Sequence, residues 1–406
     1  MLSEKPLDRR DFAFWNNIGV GIEYYDYVVF LLLIPYISSA FFLSEGPNTG
    51  LIKTYLIAAA GPWSRLLFAF IFSWLLRFYD IGLLLIYGMI FMAVATFCIG
   101  LVPAFSSIGV ASIILLIAFR VMQGVAFSLE MPHSLIFGSF YLPKFFDTFS
   151  ASTISNSAFG GFLAHFVMWL LDLCFSKQQM ISWGWRIPFL LGGVLGCVGI
   201  IMRRRYAKYS LGTQAVQKPK LHFIEIVKLD LWSLAKVVLL WVVSLTMVVN
   251  YTVLPYLFAK IYSLESKSVY PATMFGLIVA GFYSLLCGKF TRIFCFTGRV
   301  HYHLVCYGSL IAVTSMLLGK SILSIYIFCT LYQIVTTGLL NIGATLSLKK
   351  LKCANRVFVV AYNAANALAS FTPIFIVSGG INVYIALGCL IFLSALYMIL
   401  LDRSVA

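Results

Sequence analysis

Two carboxylates, Glu23 and Asp26, stand in "GIEYYDYVVF" at the start of the first long apolar run of the chain. Residues three apart on a helix lie about 60° from each other in projection, so the two acids share a face. A carboxylate near the centre of a bilayer costs on the order of 2.5–3.5 kcal/mol even on a lenient insertion scale, so acids in such runs face a polar interior and serve a function. With a helix beginning near Asn17, Asp26 lies about 13 Å in, below headgroup depth, on a stem too short to reach the interface. A basic group, water or a proton must meet it, and two neighbouring acids held out of water are suited to exchanging a proton near neutral pH.

The candidate basic partner is Arg120, in "RVMQGVAFSLE". Its guanidinium stays charged in any protein environment, and a buried charge needs a counter-charge. The spacing therefore predicts that Arg120 pairs with Asp26 or Glu23, either as part of a proton path or as a permanent clamp between two helices. Gln123 follows one turn later, and Glu130 lies seven residues beyond it, only about 20° away around an ideal helix. The three make one polar stripe, with Glu130 toward the cytoplasmic mouth. His133, just after Pro132, reads as a neutral interfacial histidine, with a proton relay as the alternative.

Further along, the polar residues of the apolar runs are amides and phenols: Asn250, Gln333, Tyr362, Asn363 and Asn366. Amides can bind either end of a zwitterion, although an Asn in a membrane helix also serves as interhelical glue. Tyr24, Tyr25 and Tyr27 could form a cation–π wall for a quaternary ammonium group. No HExxH, phosphate-cradling loop or Ser-His-Asp grouping is present, so the chain reads as a non-enzyme whose one expected cofactor-like species is the proton as coupling ion.

The elements that must position these residues follow from composition. Of 406 residues, 61% are hydrophobic and 11% charged, with mean hydropathy +0.96; soluble domains are about 25% charged. This composition predicts an all-α polytopic membrane protein. Twelve spans are expected, at about 17–42, 51–76, 81–103, 107–141, 150–175, 183–203, 231–262, 270–293, 301–319, 321–348, 354–379 and 381–402. The net charge of +15 does not point to nucleic acid, because the basic residues alternate with topology. Arg9, Arg10, Arg203, Arg204, Arg205, Lys349 and Lys350 fall on one side, and Lys53, Lys177, Lys260, Lys267 and Lys320 on the other. Both termini are thereby expected in the cytoplasm. The first 16 residues are too polar for a signal peptide's apolar core. The nine cysteines show no CxxC spacing and read as packing residues.

The longest polar interval, Arg203 to Asp230, divides the chain into a six-helix bundle at 1–202, a basic cytoplasmic linker at 203–230 and a second six-helix bundle at 231–406. Repeated halves with a binding site between them at the bilayer midplane are a recurrent plan of secondary transporters.

Four segments, "GIEYYDYVVF", "RVMQGVAFSLE", "WGWRIPFLLGG" and "RVFVVAYNAANALASFTP", appear in an order that resembles the major facilitator superfamily, in its metabolite:proton symporter branch of proline/betaine transporter-like proteins. The resemblance implies twelve transmembrane helices in two pseudo-symmetric six-helix halves, alternating access, and a place for Arg120 and Glu130 on the proton and substrate pathway. It departs from the family where a gate is expected: in the loop after span two, Arg77 takes the place of the gate Asp, Asp80 stands near it, and Ile81 takes the place of the Arg. The expectation is proton-coupled symport of a small polar or zwitterionic metabolite (osmolyte, amino acid or organic acid), by a monomer in the lipid bilayer of a bacterial-type inner membrane. Asp26, Glu23 and Arg120 are the coupling residues. Tyr27, Gln123, Glu130, Asn250, Gln333, Asn363 and Asn366 line the substrate path, and Arg77 and Asp80 mark the gate. The alternatives are a transporter-derived sensor or inactive scaffold, and a facilitator indifferent to protons.

Overall fold

In hydrocarbon every backbone N–H and C=O must find its partner within the protein, which makes helices the spanning element for this composition. The computed structural model describes residues 9–42, 45–75, 81–210, 263–294, 321–345, 347–348 and 355–378, with isolated residues between 235 and 258. These residues are helical throughout their ordered elements, and no strand occurs among them. The principal helices are α1 (Arg9–Phe41), α2 (Pro47–Leu75), α3 (Ile81–Leu101), α4 (Val110–Phe127), α5 (Met131–Tyr141), α6 (Phe146–Cys174), α7 (Ile187–Ser210), α8 (Ser266–Phe294), α9 (Ile322–Thr345) and α10 (Asn355–Ala369). Eight candidate spans among the described residues are long and apolar enough to cross a membrane. Their outer surface is apolar: Leu67, Val110, Ile114 and Leu323 are each more than 60% exposed. A water-facing surface would not carry so many large apolar side chains; this is the lipid face of a multi-pass membrane protein. The expected spans 301–319 and 381–402 lie outside the described residues, as does most of 231–262.

One expected span, 107–141, is interrupted. The helix stops at Phe127, and Ser128 to Glu130 turn the chain before α5 starts at Met131. Pro132 sits in the first turn of α5, where its missing N–H costs nothing, whereas in an uninterrupted helix it would leave a carbonyl unpaired. The ideal-helix phase that aligned Glu130 with Gln123 therefore does not apply, and the single stripe of Arg120, Gln123 and Glu130 is corrected to two segments.

Helix α1 packs against α6, α7 and α2, and its start is pinned by amides. Asn16 donates to Ser134 Oγ at 2.7 Å, and Asn17 donates to Ser152 Oγ at 2.9 Å while accepting from Thr153 Oγ1 at 2.9 Å. These bonds fix the rotational phase of α1, and with it the direction of both acids. At the start of α7, Arg186 donates to the carbonyls of Gly100 and Val102 and stacks on Trp185, anchoring α7 to the end of α3.

Among the described residues the most extensive contacts between the halves are α2 with α10, and α6 with α8. In the second of these, Ser155 Oγ donates to the Gly281 carbonyl at 2.9 Å and Ser284 Oγ to that of Ala151 at 2.7 Å. Gly288 permits the approach, since a Cβ there would lie 2.6 Å from that of Ala151. On the other contact, the rings of Trp63 and Phe371 meet at 5.6 Å.

Candidate functional site

The two acids of α1 occupy different surroundings. Glu23 is buried and pairs with Arg65 of α2, its Oε1 lying 4.0 Å from a terminal guanidinium nitrogen. Arg65 also donates from Nε to Asn363 Oδ1 on α10, and its guanidinium lies 5.1 Å from the Tyr362 ring and 5.9 Å from that of Phe127. A single arginine thus links α1, α2 and α10 across the two halves. Asn363 and Asn366 each donate to the carbonyl four residues earlier, Val359 at 2.9 Å and Tyr362 at 3.1 Å. With both amide N–H₂ groups held against their own helix, the oxygen of Asn363 is available to accept from the opposite half.

Asp26 is fully buried within the first half. Its Oδ2 accepts from Thr96 Oγ1 of α3 at 3.1 Å, Thr96 Oγ1 accepts from Gln123 Nε2 at 2.7 Å, and Gln123 Oε1 accepts from Arg120 at 2.8 Å. Arg120 makes its second bond to the Ala58 carbonyl at 2.8 Å and lies 4.1 Å from the Phe30 ring centroid. The acid and the guanidinium are therefore joined through Gln123 and Thr96. The expected direct ion pair of Arg120 with Asp26 or Glu23 is corrected: a backbone carbonyl, an amide and an aromatic face hold the charge of Arg120, and Glu23 takes Arg65. The remaining oxygen of Asp26, Oδ1, is buried without a hydrogen-bond partner. Gly192 of α7 is what allows this packing, because a Cβ there would collide with Asp26 Oδ1 and stand 2.9 Å from Thr96.

Two adjoining cavities separate the halves. The first is a narrow space lined by Glu23, Tyr24, Tyr27, Arg65, Phe127 and Tyr362, with Asn366, Leu245 and Val248 completing it. The second is lined by Gln333, Thr336, Thr337, Ser157 and His165 among others, and shares Tyr24 and Val248 with the first. Tyr27 stands edge-on to both Tyr24 and Phe127, at 6.4 and 6.1 Å, so the first cavity has aromatic walls around a buried ion pair. His165 is buried at the second, with Nδ1 2.8 Å from the Gly161 carbonyl.

Of the residues singled out in the sequence, Glu23, Tyr27 and Asn366 line the first cavity and Gln333 the second. Asn363 contacts Arg65, while Asp26, Gln123 and Arg120 form the network behind α1 and line neither cavity. Glu130 is buried at the α4–α5 turn, and His133 is buried as well. Asn250, Arg77 and Asp80 lie outside the described residues. Sequence reasoning missed Arg65 and Thr96. The signal for Arg65 was its depth: it is a lone arginine in the middle of the expected span 51–76, where a charge demands a partner.

No family model matches the chain. Among curated relatives, the proline/betaine transporter of Salmonella typhimurium is 27% identical over 203 residues, covering 50% of this chain and 41% of the relative. The glycine betaine/proline/ectoine/pipecolic acid transporter of Dickeya dadantii is 28% identical over 202 residues, 50% of this chain and 40% of its own. The chain is thus matched to less than half the length of these relatives. Among solved structures, a proton:xylose symporter bound to 6-bromo-6-deoxy-D-glucose superposes with a TM-score of 0.73 at 12% identity, over 96% of this chain and 94% of the other. The xylose transporter of E. coli in a partially occluded inward-open conformation gives 0.70 at 15% identity, over 96% of both. At such identities the superpositions establish the fold: twelve helices in two six-helix halves. The chain thus has the fold of these symporters along nearly its whole length, and over half of its length its sequence is similar to proline/betaine transporters.

Proposed function

We propose that the chain is a secondary active transporter that carries a small polar or zwitterionic metabolite by proton-coupled symport with alternating access. The observation that carries the reading is the aromatic-walled cavity between the halves with the buried Glu23–Arg65 pair in its wall. A solute held there touches both halves, so rocking one against the other changes the side from which the site is reached. The class of solute follows from the cavity chemistry and from the names of the relatives: a carboxylate finds a guanidinium, an onium group finds tyrosine and phenylalanine faces, and the amide of Asn366 suits either end. Proton coupling rests on Asp26. As an anion it has one buried oxygen without a hydrogen-bond partner, and taking up a proton removes the buried charge. Arg120, Gln123 and Thr96 hold that carboxyl in place, and Glu23 is the second acid on the path. The proposal includes a bacterial-type inner membrane, both termini in the cytoplasm, a monomer, bundles at 1–202 and 231–406 joined by the 203–230 linker, and the proton as sole coupling ion.

The test is uptake by vesicles reconstituted with the full chain, using radiolabelled betaine, proline and organic acids, with and without an inward proton gradient. Acceleration by the gradient that Asp26→Asn abolishes is the expected result. Uptake indifferent to the gradient sinks proton coupling and leaves a facilitator; no uptake of any solute sinks transport of this class and favours a sensor.

A further inference from the structure

Arg65 is buried to 6% exposure, lines the first cavity, and has one terminal nitrogen with no hydrogen-bond partner. Its other attachments are a loose ion pair to Glu23, at 4.0 Å, and the bond from Nε to Asn363 on the opposite half. A guanidinium presents its donors in a fixed planar fork that matches a carboxylate bidentately. The unpartnered terminal nitrogen forms the side-on fork with Nε, and Nε is the atom bonded to Asn363, so a carboxylate taken on that fork displaces Asn363.

We infer that Arg65 is the residue that recognises the anionic group of the solute, and that it does so in competition with Asn363, so that an occupied cavity weakens the link between α2 and α10. This rests on the cavity being the solute site proposed above. The charge balance favours a net-neutral solute: the wall already contains one anion and one cation, and a zwitterion can satisfy each without leaving either uncompensated. Arg120 cannot take this role, since it lines neither cavity and its terminal nitrogens are bonded to Gln123 and Ala58.

The experiment measures binding to the full chain in nanodiscs by calorimetry, with betaine and with choline, which keeps the quaternary ammonium and lacks the carboxylate. Wild type is expected to prefer betaine by about tenfold or more, the scale of a charge-assisted fork. Arg65→Gln should reduce that preference to near unity, with betaine binding more weakly and choline, whose cation then meets an uncompensated Glu23, binding no more weakly than to wild type; Arg65→Lys, which keeps the charge but not the fork, should fall between. Asn363→Ala, which removes the competitor, should tighten betaine several-fold, an effect that a merely structural asparagine would not give. A betaine-to-choline ratio unchanged in Arg65→Gln and Arg65→Lys, weaker betaine binding in Asn363→Ala, or no binding of either probe by wild type overturns the inference. The transport reading fails separately: preserved discrimination in binding with no uptake in vesicles refutes transport alone, and uptake with an unchanged ratio refutes the role of Arg65 alone.

Discussion

Glu23 and Asp26 differ by one turn of one helix, yet one opens onto the space between the halves and the other is sealed inside its own half. Glu23 has a cation across a loose 4.0 Å gap in a cavity wall, while Asp26 has a threonine hydroxyl, a glycine surface and a bare oxygen. The difference teaches that helical phase decides which acids share a face, but the neighbouring helices decide what each acid meets. A pair that moves with the solute must be reachable and imperfectly satisfied; a proton holder must be enclosed and rigidly framed.

The largest expected effect comes from halving the ion pair. Glu23→Gln leaves Arg65 buried without its counter-charge, and loss of one member of a buried pair costs about 3–5 kcal/mol. The double variant Glu23→Gln/Arg65→Gln should recover most of that loss, because no charge is left uncompensated. Thermal unfolding of the four proteins of the cycle in one detergent gives the coupling; additive losses would mean that the two side chains do not act as a pair.

Next in size is the seat of Asp26. Gly192→Leu forces a side chain into Asp26 Oδ1 and Thr96, and overpacking of this kind costs about 1–3 kcal/mol. Thr96→Val keeps the shape and removes the hydroxyl that links Gln123 to Asp26, at about 1–2 kcal/mol for two groups losing a partner. Both should impair gradient-driven uptake more than solute binding, since neither residue lines a cavity. Equal losses in binding and in gradient response would erase the distinction between the two acids.

The fold was legible because lipid imposes one periodicity and one length, and those are properties of composition. The approximate bounds of most of the described spans follow from that. What was not legible is pairing. Arg120 and Arg65 are each a lone arginine in an apolar run, and choosing between them as a partner for Glu23 needs the distance between α1 and α2, which no spacing within a helix contains. The break at Ser128–Glu130 was hidden for a related reason: Pro132 is compatible with either a kink or a new helix, and the turn before it decides. Thr96 escaped notice because a hydroxyl in an apolar helix usually bonds its own backbone, and only Asp26 and Gln123 arriving from two other helices give it another use.

The smallest expected effect sharpens the comparison from outside. Lys53 and Glu45 make a tighter ion pair than Glu23 and Arg65, 2.5 Å against 4.0 Å, but their side chains are 48% and 29% exposed. Distance alone would rank this pair first. Solvent reverses the order: water screens the attraction and solvates whichever partner is left behind, so Lys53→Gln should cost less than about 1 kcal/mol, and raising the salt should erase even that. Unfolding temperatures of Lys53→Gln and Glu23→Gln, measured side by side at low and high salt, make the check. A loss in Lys53→Gln as large as that in Glu23→Gln would mean that burial is not what gives the cavity pair its weight, and the contrast between enclosed and accessible charges would lose its physical basis.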